Sequence, residues 1–516
     1  MKKTYTTLRL ILGDQLNIQH SWFEKKDKDT LYFMAECLSE TNYVVHHIQK
    51  VVGFFSAMRT FADELQENGH DLVYYSLDDP NNKQSFADNL SAIIKKYKVQ
   101  KLEYQLPDEW RLDEELTSFI EDSGITTEVF DSEHFLTERN FLADFFEGKK
   151  TYLMETFYRS IRKQYDLLME PNGKTPLTGK WNYDKSNRKK LPKKIDIAPQ
   201  LHWHKDVTEI VEMLQTKEVK TIGNIDSENF VWPTSRAECL ELIEEFCQFR
   251  LHLFGDYQDA LTTRDYALFH SRLSFGMNTK MISPLEVVER CIAEYHKRKD
   301  EIDISQIEGF VRQIIGWREY MRGVYWAKMP DYESLNYFEH KAKLPEWYWT
   351  GDTKMTCLKH SIEQSLDKAY AHHIQRLMVT GNFALLLGVD PDEVDEWYLG
   401  IYIDALQWVE ITNTRGMSQF ADGGIVGTKP YISSANYIHK QGDYCNQCQY
   451  DRKLKYGEKA CPFNSLYWEF FERHRDKLGN NFRMAMMYRV WDKMDGYEKG
   501  NILEQAKTYK ENVNQL

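Results

Sequence analysis

Thr7-Leu8-Arg9-Leu10-Ile11-Leu12, followed at once by Gly13-Asp14-Gln15, opens the chain with a compact apolar strand that stops at a turn. The run is short, and Asp14 ends it too early for a secretory signal. Four similar runs follow: Thr30–Met34 ending at Glu36, Asp71–Ser76, Lys101–Tyr104 and Thr126–Phe130. Between them Val51 to Glu67 carries Phe54, Phe55, Met58, Phe61 and Leu65 at helical spacing, and Ser91 to Lys96 fits a helix end. Strands alternating with helices predict a Rossmann-like parallel sheet covered on both faces over residues 1–148. Such sheets bind ligands beyond their strand carboxyl ends, where Asp14, Gln15 and Glu36 would lie. No GxGxxG accompanies them, which argues against a dinucleotide there.

From about residue 205 the pattern turns helical. Ala237 to Phe254, Pro284 to Arg298, Ile304 to Ala327, Lys359 to Leu387 and Pro391 to Ala405 each predict a helix. Residues 412–440, with Gly416, Gly423, Gly424, Gly427 and Pro430, read as irregular. The division expected is 1–148 for an α/β domain, 149–204 for a connection and 205–516 for a large all-α domain.

The 516 residues are 42% hydrophobic and 28% charged, ordinary values for a soluble chain, and no apolar run approaches a membrane span. Eight cysteines in so long a chain do not form a disulfide framework, so a reducing cytoplasm is the expected home. The net charge of −13 argues against indiscriminate nucleic-acid binding, but its distribution is uneven. Residues 149–194 hold thirteen Lys/Arg against four Asp/Glu, which leaves −22 on the rest. A basic island on an acidic protein can steer one polyanion to one face; a solvated linker has the same composition. Pro171-Asn172-Gly173, Pro176 and Gly179 mark that island as a long loop, after a short helix with Tyr158, Ile161 and Tyr165.

Cys445-Asn446-Gln447-Cys448 and Cys461-Pro462 bring three thiols close in sequence, and Cys357, 88 residues before Cys445, is the best remote fourth. Thiolates select zinc, copper(I) or iron–sulfur clusters, and this spacing leaves cluster, zinc and unrelated buried thiols open. Other segments are individually weak. His270-Ser271-Arg272-Leu273-Ser274 could hold phosphate oxygens, whereas Ser283-Pro284 is also an ordinary helix start. In Arg312-Gln313-Ile314-Ile315-Gly316-Trp317-Arg318, Arg318 could bind an anion. His372 and His373, adjacent on the predicted helix, would point about 100° apart, so one suits a proton donor in a pocket and the other the core. Asp404 and Glu410 flank Trp408 in acidic–aromatic surroundings that could line a cofactor pocket.

In order and together, these segments resemble the photolyase/cryptochrome superfamily, and most closely its iron–sulfur bacterial branch. The residues that carry the likeness are Leu12-Gly13-Asp14-Gln15-Leu16-Asn17, Ser271-Arg272-Leu273-Ser274 with Ser283-Pro284, Trp317-Arg318-Glu319-Tyr320, His372-His373-Ile374-Gln375-Arg376 and the four cysteines. The resemblance implies an antenna domain followed by a helical domain holding a bent FAD. Ser271, Leu273 and Ser274 would meet its phosphates, Gln313 and Arg318 would flank it, Arg376 would pair with Asp404 beside its reactive ring nitrogen, and Glu410 would face that nitrogen. It also implies a 4Fe-4S cluster on Cys357, Cys445, Cys448 and Cys461, an electron path through Trp397, Tyr398 and Trp349, and a 6,7-dimethyl-8-ribityllumazine antenna at Asp14 and Glu36. The implied activity is light-driven repair of (6-4) pyrimidine photoproducts in UV-damaged DNA by a monomer. His373 would supply a proton, helped by His372, with Tyr431 and Tyr437 beside the lesion. Two features depart from the family pattern: Phe275 replaces the usual Pro, and Gly316 is an extra residue before Trp317. A signalling cryptochrome with the same cofactors, or a metal-stabilised nucleic-acid-binding protein without flavin, are the competing expectations.

Overall fold

A computed structural model describes residues 3–149 and 151–516. All five expected strands form: β1 (Thr7–Leu10), β2 (Thr30–Ala35), β3 (Leu72–Tyr75), β4 (Lys101–Gln105) and β5 (Thr126–Phe130). They make one parallel sheet in the order β3-β2-β1-β4-β5, with Thr7 paired to both Thr30 and Lys101. Every residue of the inner strand β2 is buried, as a sheet covered on both faces requires. On one face Leu8, Leu10, Leu31 and Phe33 pack against α2 (Phe86–Tyr97) and α3 (Trp110–Ser123) through Leu90, Ile93, Leu112 and Leu116. On the other, Tyr32 and Met34 meet Val52, Phe55 and Leu65 of α1 (Ile48–Glu67), and this core runs without a break into the helical part.

The strand order reverses between β1 and β4, so the crevice beyond their carboxyl ends is the place where such sheets accept ligands. Asp14 follows β1 there, and Asp108 and Glu109 follow β4. Lys280, from the helical part, enters this junction fully buried; its Nζ lies 3.0 Å from Asp14 and 2.6 Å from Asp108. One ammonium against two carboxylates ties the sheet to the helices.

The basic connection is not a free linker. Its helix α4 (Met154–Gln164) buries Arg162, which donates to the carbonyls of Leu167, Leu168 and Trp181. Glu308, in the helical part, accepts from Tyr158 Oη at 2.9 Å and from the Tyr183 amide at 3.0 Å. Its lysines, among them Lys174, Lys180, Lys185, Lys189 and Lys190, remain exposed.

Three π-helical turns interrupt the helical part: Arg312–Arg318, Gln375–Gly381 and Thr412–Ser418. Each admits one more residue per turn than an α-helix, and such turns gather at functional sites. The first absorbs the extra Gly316 inside the expected helix over 304–327. Gly316 also lets α4 pack closely: a Cβ there would stand 3.2 Å from the Tyr158 ring. Where the second and third turns cross, a Cβ on Gly381 would land on Ser418 Oγ and 2.7 Å from the Arg376 carbonyl. Gly381→Ala is therefore expected to destabilise the protein by about 1–3 kcal/mol, measured by urea unfolding.

Three expected helices are shorter than their periodicity suggests. The one over 237–254 breaks at Arg250, whose buried guanidinium holds Glu245 and the carbonyls of Leu268 and Pro199. That over 359–387 stops at Lys368. The carbonyls of Leu366 and Asp367 are claimed by His47 and Gln49 at 2.8 Å each, and Ala369 turns left-handed at φ 50°. The helix over 391–405 ends at Ile401, so Asp404 lies in the link to Gln407–Ile411 rather than on a helix.

Candidate active site

The break at Ala369 sets the two histidines. His372 precedes the next helix, and its amide donates to Gln375 Oε1 at 3.0 Å, a side-chain cap on an otherwise orphaned amide. Gln375 Nε2 in turn donates to Gln364 and to Tyr444 Oη, at 2.9 and 3.0 Å. So held, His372 faces inward and His373 outward, a division that arises from a helix start rather than from adjacent positions along a helix.

The buried His372 ring stacks on His270 with centroids 4.8 Å apart and planes 9° from parallel. His373 lies in a recess that solvent reaches while protein crowds it on most sides. That crowding, then the charge of Arg376, pulls its imidazole down to about 4. Burial also lowers His270, to about 4, and holds His372 well below its usual range.

Arg376 Nε donates to the Ala371 carbonyl at 2.7 Å, and Nη2 donates to Asp404 Oδ1 at 2.9 Å. The Tyr402 ring lies 3.7 Å from the guanidinium carbon. Ser274 Oγ donates to the other Asp404 oxygen at 2.6 Å, and Asn278 donates to the Asp404 carbonyl at 2.7 Å. Glu410 is buried nearby and accepts from Thr414 Oγ1 at 2.5 Å; burial pushes its carboxyl up, and Arg376 is the main opposing influence. Ser274, Arg376, Asp404, Glu410 and the histidines thus converge from segments spread over 140 positions, from His270 to Glu410.

Other expected residues stand further off. Ser271 Oγ accepts weakly from the Leu273 amide, Leu273 is in the core, and Gln313 donates to the Gly309 carbonyl within its own helix. Arg318 is buried against His134, Asn278 and the rings of Phe135 and Trp408, one side chain removed from Asp404. Tyr431 and Tyr437 are half-buried, and both feel the charges of Asp184 and Arg188 from the basic connection. Trp397 meets Tyr398 at 5.0 Å and Tyr348 at 5.2 Å, and Tyr398 meets Tyr402 at 5.7 Å. Trp349 is on the rim of the short helix Trp347–Thr350, where Tyr348 makes the ring contact instead.

Cys357, Cys445, Cys448 and Cys461 line one small cavity with Met355, Tyr444 and Phe463. Among the described residues no three ligating side chains are close enough to hold a single metal ion. A second cavity opens at the strand-order switch. Asp14, Glu36, Glu109 and Lys50 line it with Phe54, Phe55, Met58 and Leu112. Glu36 is already engaged by Arg59, Tyr74 Oη and the Leu77 amide, at 2.8, 2.7 and 2.8 Å.

A family model described as deoxyribodipyrimidine photo-lyase-related protein matches residues 9–230. A (6-4) photolyase of Agrobacterium fabrum is 41% identical over 495 residues, which span 94% of this chain and 96% of that protein. The chain belongs to the photolyase/cryptochrome family. Among solved structures, a bacterial class III photolyase from Agrobacterium tumefaciens has a TM-score of 0.56 at 16% identity, covering 99% of this chain and 98% of that one. A Synechocystis cryptochrome has a TM-score of 0.55 at 12% identity, covering 99% and 100%. At those identities the structural likeness shows the shared fold, a parallel sheet joined to a large helical domain.

Membership in the photolyase/cryptochrome family implies FAD. The chain's own atoms accord with a large polar cofactor: His270 Nε2, His372 Nδ1 and the Trp408 indole nitrogen are buried without a protein partner. Reading the sequence alone passed over His270, although it begins the Ser271–Ser274 motif; its stacking on His372 spans 102 positions and leaves no local signal. Tyr348 and Lys280 were missed for the same reason. Among the described residues no helix is long and apolar enough to cross a membrane.

Proposed function

We propose that this photolyase-family chain repairs (6-4) pyrimidine photoproducts in UV-damaged DNA under blue light. The observation that carries the reading is its near full-length likeness to a (6-4) photolyase, at 41% identity. Reduced FAD, when bound, supplies the electron that starts repair. Arg376, Asp404, Glu410 and Ser274 would hold its reactive end, with Ser271 and Leu273 toward its phosphates and Gln313 and Arg318 at its flanks. His373, the most exposed histidine of the group, is the proton donor to the lesion, and buried His372 fixes its direction. Tyr431 and Tyr437 line the lesion's side of the recess. A lesion must leave the duplex to get there, and a distorted pair is easier to extrude.

Trp397 and Tyr398 carry electrons toward the flavin, with Trp349 at the rim. The four cysteines would hold a 4Fe-4S cluster as a scaffold, since their cavity separates the glycine-rich segment from the helix beginning at Pro462. The cavity at the strand-order switch, apolar-walled with a few polar groups, suits a heterocyclic antenna such as 6,7-dimethyl-8-ribityllumazine. DNA would follow the exposed lysines of the basic connection.

Purified protein illuminated with blue light in the presence of a reductant is expected to restore normal bases in a (6-4)-containing oligonucleotide. Its affinity should fall steeply between 50 and 200 mM salt, with a logarithmic slope of about −0.9 for each duplex phosphate neutralised. Flavin absorption without any repair would instead make the chain a photoreceptor. Salt-independent binding would remove the connection from the interface.

A further inference from the structure

Phe482 is 82% exposed, more than any other large apolar side chain reported on this surface. Single exposed apolar residues are common and need no explanation; here the surroundings supply one. The turn that carries Phe482 is anchored. Asn481 Nδ2 donates to the Thr428 carbonyl at 3.3 Å, the Asn481 side chain accepts from the Arg483 amide at 3.0 Å, and Met484 beyond it is buried. The turn therefore sits directly on the glycine-rich segment that leads to Tyr431.

Basic groups cluster around it. Arg483 reaches over Phe482, 5.6 Å from the ring centroid. Burial, and then the like charges of Arg483 and Arg188, lower the affinity of half-buried Lys429's ammonium for its proton. The same two arginines bear on Tyr431, opposing Asp184. Like charges gathered beside an exposed ring are unfavourable in the free protein and become favourable when a polyanion lies across them.

We propose that Phe482 is a wedge that enters the base stack of duplex DNA beside an extruded lesion, with Arg483 and Lys429 on the flanking phosphates. The inference rests on the repair function proposed above and adds the residue that stabilises the opened duplex. Extrusion leaves a gap in the stack, and a flat apolar side chain on a rigid turn can fill it. Phe482 is then a binding and specificity residue for double-stranded substrate, with no part in the chemical step.

The test uses the full chain and one (6-4) lesion in two settings, a duplex and the same strand alone. Phe482→Ala should weaken duplex binding about tenfold, the scale of one lost base–aromatic stack, and change single-strand binding less than twofold. Phe482→Trp should restore the duplex affinity. 2-Aminopurine placed beside the lesion should brighten when wild type binds and stay dim with Phe482→Ala. Unchanged duplex affinity and brightening in Phe482→Ala would overturn the wedge, and so would equal losses on both substrates. Wild type that neither binds nor repairs the lesion would overturn the repair function instead.

Discussion

Replacing His373 with alanine should lower (6-4) repair by about 10²–10⁴-fold, the usual worth of a positioned proton donor, and leave flavin content and lesion affinity within a few fold. The expectation follows from placement. Of the three histidines gathered near Arg376, half-buried His270 stacks on fully buried His372, and His373 is the one exposed at the recess. Its imidazole titrates near 4, so at neutral pH the free protein holds it uncharged. Burial and Arg376 cause that depression, and both weigh against the cation. A lesion with its phosphates acts in the opposite direction, because nearby negative charge favours imidazolium. Substrate would therefore raise the pKa of the group that must give up the proton. Histidine NMR on protein with and without lesion DNA should show the His373 resonance titrating at higher pH in the complex. His373→Asn, which keeps a hydrogen bond but cannot deliver a proton at this pH, should be as inactive as alanine. Repair surviving in either variant would remove His373 from the chemistry.

The sheet was legible because its signals are local. Each strand is a short apolar run with a turn at its end, and five such runs separated by helical periodicity admit few topologies. Helix ends in the other half were less legible, because distant side chains set them. Nothing near Ala369 announces that His47 and Gln49, more than 300 residues earlier, will take the carbonyls that would have continued the helix. The extra Gly316 looked like a departure from pattern, and a π-helical turn accommodates it without shifting the rest of the helix. The residues proposed to hold ligands were legible mainly through family resemblance. Their physical partners were not, since the contacts Ser274–Asp404, His270–His372 and Lys280–Asp14 cross between segments with no shared periodicity.

Asp404→Ala should destabilise the protein by about 3–5 kcal/mol and empty it of flavin after desalting. Arg376 is largely buried, and Asp404 is its carboxylate partner. Removing one member of a buried ion pair is costly mainly because the other stays behind uncompensated. The Ala371 carbonyl and the faces of Tyr402 and Tyr370 would remain for the guanidinium, and Glu410, the carboxylate left nearby, makes no hydrogen bond to it. Ser274 would lose its acceptor in the same step. A double variant, Arg376→Met with Asp404→Leu, separates the two roles of the pair. Apolar replacement of a whole buried ion pair is often neutral or stabilising, so the double variant should recover most of the urea-unfolding free energy. It should still fail to retain flavin, because the groups that hold the cofactor's reactive end are gone. Asp404→Ala protein with normal stability and full flavin absorbance would show that the pair neither supports the fold nor binds the cofactor. Recovery of flavin in the double variant would assign Arg376 and Asp404 to the fold alone and leave Glu410 and Ser274 to hold the ring.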